Sequence, residues 1–193
     1  FFDIGAHKGE SINLFLKHFI IKKIYSFEAS PINFEKLLIA KNNYQKKFKN
    51  TEIIIENFAL GDKIGNVCLN QSIESSSSTL NQINIHSNYF KKKQKLLKSD
   101  NKKFFQNIEV KMITLEDYLK KKQISNIDFI KIDTEGYEFE ILRGLKVMIS
   151  EVKLIMFEHH YDDMIKKSYK YSDISKFLKD NDFKKIYKSK MPF

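Results

Sequence analysis

The chain begins with Phe1-Phe2-Asp3-Ile4-Gly5-Ala6-His7-Lys8-Gly9-Glu10, which predicts the end of a buried strand, a glycine turn and the start of a helix. Gly5 and Gly9 can adopt a positive φ, and they carry no Cβ atom that would hold a ligand away from the backbone. From residue 11 to residue 19, apolar residues recur close to the helical period. A strand, glycine turn and helix bring backbone N–H groups to one point. This arrangement predicts a cradle for a nucleoside ligand. A side chain at Gly5 should block the ligand or strain the turn, while the protein remains folded.

Glu28 is an acidic residue at the position where a nucleoside cradle requires one. Glu28 follows the next apolar run, residues 24–27, and lies about 20 residues beyond the glycine turn. A carboxylate at the tip of the second strand can accept hydrogen bonds from the two hydroxyls of a ribose. The glycines, the helix pattern and Glu28 together favour a ligand site over a chance spacing.

Length and composition predict a single domain over residues 1–193. Hydrophobic residues make up 42% of the chain and aromatic residues 13%, which argues against disorder. No apolar run is long enough to cross a membrane, and no secretory signal precedes the first strand. Because the chain begins inside a strand and without Met, we expect an N-terminally truncated sequence. Cys68 is the single cysteine, which suits a reducing compartment and predicts a cytoplasmic location.

The net charge of +10 suggests a nucleic-acid partner, but the kind of basic residue argues against one. Arg143 is the only arginine, whereas bidentate recognition of phosphates and bases favours arginine. A basic run at residues 91–95 could contact an anion, although such runs are usually solvated loops. We therefore expect no specific nucleic acid as a partner.

The alternation of apolar runs and turn signals predicts a Rossmann-like, doubly wound and mostly parallel α/β sheet with flanking helices. Strands are expected at residues 23–28, 51–60, 66–69, 108–113, 127–133, 152–157 and 183–187. Residues 108–113 alternate like an exposed edge strand, and residues 71–107 read as an inserted loop or lid.

Helix-capping residues and stripes of apolar residues predict where the helices lie. Ser30 with Pro31 predicts one helix start, and Thr114 with Asp117 predicts a capping box. A later helix from 171 to 181 would be capped by Ser172 or Asp173. The second helix would bury a stripe made of Phe34, Leu37 and Leu38.

Polar residues follow five of the predicted strands. They are Asp3 with Gly5, Glu28, Asn57, Asp133 with Glu135, and Glu158 with His159. In open α/β sheets, ligands bind at the carboxyl ends of the strands. These residues are therefore the candidates for one site.

Several motifs in this order resemble the FkbM-type family of methyltransferases that use S-adenosylmethionine. They are Asp3-Ile4-Gly5-Ala6-x-x-Gly9, Phe27-Glu28-Ala29-Ser30-Pro31, Asn57-x-Ala59-Leu60-Gly61-Asp62 and Ile130-Lys131-Ile132-Asp133-Thr134-Glu135-Gly136, with residues 75–80 and 114–117 also similar. The resemblance covers nearly the whole chain, but His7 stands where the family commonly has Asn. It implies methylation of hydroxyl oxygens, often on sugars or natural products, and hence a small-molecule or glycan acceptor.

The resemblance also implies how the chain would hold S-adenosylmethionine. Gly5, with its neighbours Ala6 and Gly9, would let the backbone approach the methionine part. Asp3 would receive the ammonium group, and Glu28 the ribose hydroxyls. Asn57 and Ala59 would lie beside the adenine, one as a hydrogen-bond partner and one as a flat contact.

An alcohol acceptor must lose a proton as the new bond forms, so a general base is expected. His159 is the first candidate because an imidazole titrates near neutral pH, and Asp133 and Glu135 are its rivals. Each of the three residues has an alternative role. His159 could serve the structure alone, and Asp133 could orient the ammonium group or cap a helix. Glu135 could bind substrate hydroxyls. Glu158 should point to the face opposite His159. The scattered acids show no metal-ligand spacing, so no metal site is expected.

Two other functions stay open on the sequence alone. A nicotinamide-dependent oxidoreductase could share the fold, although Gly5-x-x-x-Gly9 lacks the middle glycine of Gly-x-Gly-x-x-Gly. A non-catalytic module that binds nucleic acid could be built on a methyltransferase-like fold. The acids at the strand ends and the shortage of arginine argue against this second alternative.

Overall fold

Five parallel strands form the central sheet of the computed structural model, which describes residues 1–73, 76–97, 104–161 and 163–189. The strands of the chain are β1 (Phe2–Ile4), β2 (Lys23–Phe27), β3 (Glu52–Glu56), β4 (Ala59–Gly61), β5 (Gly65–Ser72), β6 (Gln82–Ile83), β7 (Phe105–Thr114), β8 (Ile130–Ile132), β9 (Ile155–Phe157) and β10 (Ile165–Lys166). The helices are α1 (Glu10–His18), α2 (Pro31–Lys47), α3 (Asn88–Leu97), α4 (Leu115–Lys122), α5 (Glu138–Arg143) and α6 (Tyr171–Asp180), with a 3-10 helix at Lys146–Glu151.

The order of the central sheet is β3-β2-β1-β8-β9, with every neighbouring pair parallel. The chain runs outward from β1 through β2 to β3, and later returns to the other side of β1 as β8 and β9. The strand order therefore reverses between β1 and β8, which is where ligands bind in open α/β sheets. The predicted doubly wound α/β fold is confirmed.

Helices cover both faces of this sheet. On one face, Phe2, Phe27 and Ile132 pack with buried residues of α4, α5 and α6. On the other, Ile24 and Ile53 pack with buried residues of α1 and α2. Apolar residues on both sides of the strands explain why the strand sequences read as nearly continuous apolar runs.

Two of the predicted helix caps are confirmed. The Ser30 Oγ accepts the Asn33 N–H at 3.1 Å, and the Thr114 Oγ1 accepts the Asp117 N–H at 3.1 Å. The prediction for α6 was wrong, because its N-cap is Lys170, whose N–H donates to the Asp173 carboxylate. The predicted stripe on α2 was wrong at Leu38, which is 44% exposed, whereas Leu37 is fully buried.

The single strand predicted at 51–60 is two strands in different sheets. β3 ends at Glu56 and joins the central sheet, and β4 begins at Ala59 and pairs in parallel with β7. Between them, Asn57 turns its side chain to donate to the Glu28 carbonyl at 2.8 Å. β7 is the middle strand of a second sheet of order β4-β7-β5, so the prediction of an edge strand at 108–113 was wrong.

The interval 71–107 holds more regular structure than the sequence predicted. β5 continues to Ser72, β6 pairs with β10 antiparallel, and α3 follows. Phe90 of α3 packs with Phe104 and Met164 in a small buried cluster, and this tertiary packing forms a helix where the lysine-rich pattern suggested none. Residues 74, 75 and 98–103 of the interval lie outside the described residues.

The strand predicted at 183–187 was wrong. The Phe183 N–H donates to the Leu178 carbonyl at the end of α6, and no strand pairing continues from it among the described residues. Ile186 and Tyr187 are 79% and 80% exposed, so this apolar run is not buried as a strand of the sheet would be. In the described part of the chain, no helix has the length and apolar character that crossing a membrane requires.

Candidate active site

A cavity of about 320 Å³ opens at the carboxyl ends of β1, β2 and β8, at the point where the strand order reverses. Its lining includes six of the residues predicted from the sequence: Gly5, Ala6, Glu28, Ala59, Asp133 and Glu135. These residues follow β1, β2 and β8 or begin β4, so it is the folding of the sheets that brings them together.

The glycine turn after β1 lies directly against β8. Gly5 has a φ of 80°, and a Cβ atom added there would come within 1.8 Å of the Asp133 carbonyl oxygen. The N–H groups of Gly5 and Ala6 both reach the Phe27 carbonyl at 3.0 Å, which ties the turn to β2. Gly5 is therefore needed for the packing of the turn itself, which supports the expectation that a side chain here strains the turn. That such a side chain also blocks a ligand stays a prediction.

Glu28 joins the glycine turn to the start of α2. One carboxylate oxygen accepts the His7 N–H and the other accepts the Ser30 N–H, each at 2.8 Å. Burial raises the pKa of Glu28 to about 7 against the opposing effect of these backbone donors. Each carboxylate oxygen retains a lone pair that can accept from a ligand in the cavity.

Three of the predicted cofactor residues do not line the cavity. Asp3 is fully buried, with Lys131 Nζ 3.4 Å from its Oδ1, and burial raises its pKa to about 6. A Cβ atom added to Gly9 would meet Leu37 of α2, so Gly9 allows α1 to pack on α2. Asn57 is exposed and holds the Glu28 carbonyl. These residues support the walls of the cavity from outside it.

Acidic side chains dominate the side of the cavity formed by β8 and β9. Asp133, Glu135 and Glu158 all line it. Burial, followed by repulsion from Asp133, raises the pKa of Glu135 to about 8 and that of Glu158 to about 7. Lys131, which also lines the cavity, lies 3.2 Å from the Asp133 carboxylate. This acidic edge, defined as Asp133, Glu135 and Glu158, is suited to receiving a proton or a cation.

The loop that carries Glu135 is fixed by the fully buried Glu138. The Glu138 Oε1 accepts the N–H groups of Thr134 at 3.1 Å and Gly136 at 3.0 Å, and its Oε2 accepts the Tyr169 hydroxyl at 2.6 Å. Glu135 itself has a φ of 54°, which is uncommon for a residue with a side chain. Such a conformation persists only where its surroundings hold it, and it aims functional side chains in many active sites.

A serine-rich segment closes the cavity opposite the strands. Ser76, Ser78 and Thr79 contribute to the lining, and the Thr79 hydroxyl donates to the Glu135 carbonyl at 2.7 Å. Asn81 donates to the Gly136 carbonyl at 2.6 Å, so the segment fastens the acidic loop from a second side. The sequence signals for this role were the grouped polar residues and the similarity of residues 75–80 to the family's motifs. Ser75, in the same motif, lies outside the described residues.

His159, the first candidate for the base, lies outside the cavity lining. Its ring packs among Tyr161, Tyr169 and Tyr171, with ring centroids 4.8–5.9 Å away. Burial and then the positive charge of Lys167 lower its pKa to about 4. The sequence placed His159 near the transferred methyl group, but the alternation of side chains after β9 turns Glu158 toward the cavity instead. The prediction that Glu158 and His159 would not act as a pair agrees with this placement.

His160 was missed by the sequence analysis. Its Nε2 lies 3.4 Å from the Glu135 carboxylate and 3.9 Å from the Glu158 carboxylate. The signal that could have found it is the same alternation, because residues 158 and 160 share a face when the chain continues extended beyond β9.

We expect His159→Phe to leave ligand binding, and the methyl transfer that the family resemblance implies, within about twofold of the wild type. Phenylalanine can keep the ring contacts with the three tyrosines, and His159 contacts no cavity-lining group that would act on a substrate. Calorimetry and single-turnover transfer rates would measure the two effects. A rate lower by 100-fold in a folded variant would restore His159 as the candidate base.

The comparisons with known proteins agree with this fold. The family model described as the methyltransferase FkbM domain matches residues 3–185. A crystal structure of methyltransferase FkbM from Methylobacillus flagellatus KT is similar to this chain with a TM-score of 0.51 and 19% identity. The match covers 80% of this chain and 31% of that one, so the chain spans about a third of the solved protein, and the likeness shows the fold alone. No curated protein matches the chain.

Proposed function

The chain belongs to the FkbM methyltransferase family, and from this premise we propose that it transfers a methyl group from S-adenosylmethionine to a hydroxyl of a small molecule or glycan. The observation that carries the proposal is the cavity at the strand-order reversal, where the glycine turn and Glu28 meet the acidic edge. At one end of the cavity, the glycine turn and Glu28 are suited to binding a nucleoside. At the other end, the acidic edge is suited to binding a group that donates a proton.

The residues present fit S-adenosylmethionine. A cavity of about 320 Å³ lies within the range that small ligands occupy. Glu28 can accept from the ribose hydroxyls, and Phe58 and Ala59 offer apolar contact beside it for the adenine. Lys131 offers a positive charge to the carboxylate of the methionine part. Asp3 lies 3.4 Å from this lysine and does not line the cavity, so its contact with the ammonium group, directly or through water, stays a prediction.

The methyl donor supplies an activated methyl group on a positively charged sulfur, so the chain must orient the acceptor and remove its proton. Glu135 is the base that we propose. It lines the cavity, its pKa is raised to about 8, and its loop is held by Glu138 and Thr79. A carboxylate of raised pKa is a stronger base than an ordinary one, which favours taking the proton from an alcohol.

The competing functions have less support. The family is one of methyltransferases, and the glycine turn lacks the middle glycine typical of nicotinamide-binding proteins. The lysine-rich surface supports at most weak, salt-sensitive contact with nucleic acid, since Arg143 is the only arginine. A small-molecule or glycan acceptor and a cytoplasmic location remain part of the proposal.

We predict that Glu28→Gln weakens the binding of S-adenosylmethionine by about 1–3 kcal/mol, a rise of roughly 5- to 150-fold in Kd. The amide keeps the size of the carboxyl but removes the charge that strengthens hydrogen bonds from the ribose hydroxyls. Calorimetry with S-adenosylmethionine, S-adenosylhomocysteine and NAD measures the effect and tests the proposed function at once. The first two should bind the wild type, and NAD should not.

The same experiment has a pH dependence and a matched control. Because the hydroxyls donate to the ionised form of Glu28, whose pKa is about 7, affinity should rise between about pH 6 and 8 in the wild type and not in the variant. Glu56→Gln is the control, since Glu56 ends the neighbouring strand but does not line the cavity. Equal affinities for Glu28→Gln and wild type would remove Glu28 from the site, and preferential binding of NAD would overturn the proposed function.

A further inference from the structure

Three side chains beside the cavity form a donor set of the kind that holds a metal ion. One ligand atom from each of Asp133, Glu158 and His160 lies within 4.8 Å of the other two, and among the described residues no other group of three meets this criterion. These three residues show no compact spacing in the sequence, because Asp133 follows β8 and the other two follow β9. The parallel pairing of β8 with β9 brings them together.

The spacing suits a divalent cation. Ligands about 2.1–2.4 Å from a cation stand roughly 3–4.8 Å from one another, depending on whether they are adjacent or opposite. Two carboxylates with one imidazole are ligands that Mg²⁺ or Mn²⁺ can accept, together with water or a substrate oxygen. Because Asp133 and Glu158 also line the cavity, the remaining coordination positions of the ion would face it.

The balance of charge at the acidic edge favours a cation. Asp133, Glu135 and Glu158 all line the cavity, so three carboxyl groups are gathered in one region of it. Lys131 lies 3.2 Å from Asp133, but it is shared with the buried Asp3. His160 lies 3.4 Å from Glu135, so this pair would have to open for the imidazole to bind an ion.

We propose that Asp133, Glu158 and His160 bind a divalent cation of the Mg²⁺ and Mn²⁺ class, which holds the acceptor hydroxyl in the cavity. The site itself is independent of the reaction, whereas the role of the ion rests on the proposed function. A hydroxyl bound to the ion loses its proton more readily, and the proton passes to Glu135. The oxygen electron pair then forms the new O–C bond as the S–C bond breaks, and the electrons of that bond stay on sulfur.

Binding of Mn²⁺ to the whole chain tests the proposal without any acceptor. Electron paramagnetic resonance follows free Mn²⁺, and calorimetry with MnCl₂ gives its Kd. We expect a single strong site in the wild type and a Kd raised by roughly 10- to 100-fold or more in Glu158→Gln and in His160→Gln. Glu109→Gln and His86→Gln are the matched controls, because both residues are exposed and distant in sequence from the cluster, and both should bind Mn²⁺ like the wild type.

Circular dichroism establishes that each variant is folded, and the two ligand variants are independent, so one suffices if the other fails to fold. The absence of Mn²⁺ binding at millimolar concentration would overturn the cation site. Equal affinity for Mn²⁺ in the controls and in both ligand variants would also overturn the cation site. Calorimetry with S-adenosylmethionine is run separately on the same samples. Binding of S-adenosylmethionine without binding of Mn²⁺ would overturn the cation site and leave the proposed function supported. Binding of Mn²⁺ without binding of S-adenosylmethionine would support the cation site and overturn the proposed function.

Discussion

Glu135→Gln is expected to lower the single-turnover rate of methyl transfer by about 10²–10⁴-fold while leaving the affinity for S-adenosylmethionine unchanged. The amide has nearly the shape of the carboxyl but cannot take a proton from an alcohol. The backbone around Glu135 is held on two sides, because the Thr79 hydroxyl donates to its carbonyl and Glu138 accepts the N–H of Gly136. The positive φ of Glu135 is tolerated equally by Gln, so the substitution tests chemistry more than conformation.

The measurement needs labelled S-adenosylmethionine and a panel of glycan precursors, from which the acceptor with the highest transfer is chosen. Single-turnover rates are required because product release could otherwise mask the chemical step. Glu140→Gln is the matched control: Glu140 is buried and its pKa is raised by burial, yet it does not line the cavity. A rate equal to that of the wild type for Glu135→Gln would show that the proton leaves by another route.

The fold was predictable because its main signals are local. The buried strand β1, the glycine turn and the caps at Ser30 and Thr114 are each encoded within a few residues, and all were identified. The errors arose where pairing between distant segments decides the outcome. Nothing within residues 51–60 shows that the chain passes from one sheet to another at Asn57, because this depends on β7, more than 40 residues further on.

The site was predictable to the level of the strand ends but not to the level of single side chains. Glu28 and Glu135 were placed in the cavity correctly, since each follows a buried strand. At β9 the alternation of side chains establishes only that residues next to each other in the sequence point to opposite sides of the strand. Because β9 is an edge strand, both of its sides are partly exposed. The sequence therefore could not decide between Glu158 and His159. His160 was missed because its closer acidic partner, Glu135, follows a different strand. Glu138 was missed because the loop conformation that turns the Thr134 and Gly136 N–H groups toward it is not visible in the sequence.

Gly5→Ala is expected to destabilise the protein by about 4 kcal/mol or more, enough to unfold much of a marginally stable domain. The added Cβ atom would lie 1.8 Å from the Asp133 carbonyl oxygen. This steric clash could be relieved only by moving the glycine turn away from β8. The positive φ of 80° adds a further cost of roughly 1 kcal/mol for a residue with a side chain. Because β1 is the middle strand of the sheet, separating it from β8 divides the core.

Gly65→Ala separates the two contributions. Gly65 also has a positive φ, of 154°, but a Cβ atom added there meets nothing within 4 Å. We expect Gly65→Ala to show the backbone cost alone, and Gly5→Ala to show a much lower melting temperature and a much lower urea midpoint. Loss of S-adenosylmethionine binding in a Gly5→Ala protein that melts like the wild type would contradict this prediction. It would instead support the expectation from the sequence that a side chain at Gly5 blocks the ligand while the protein remains folded.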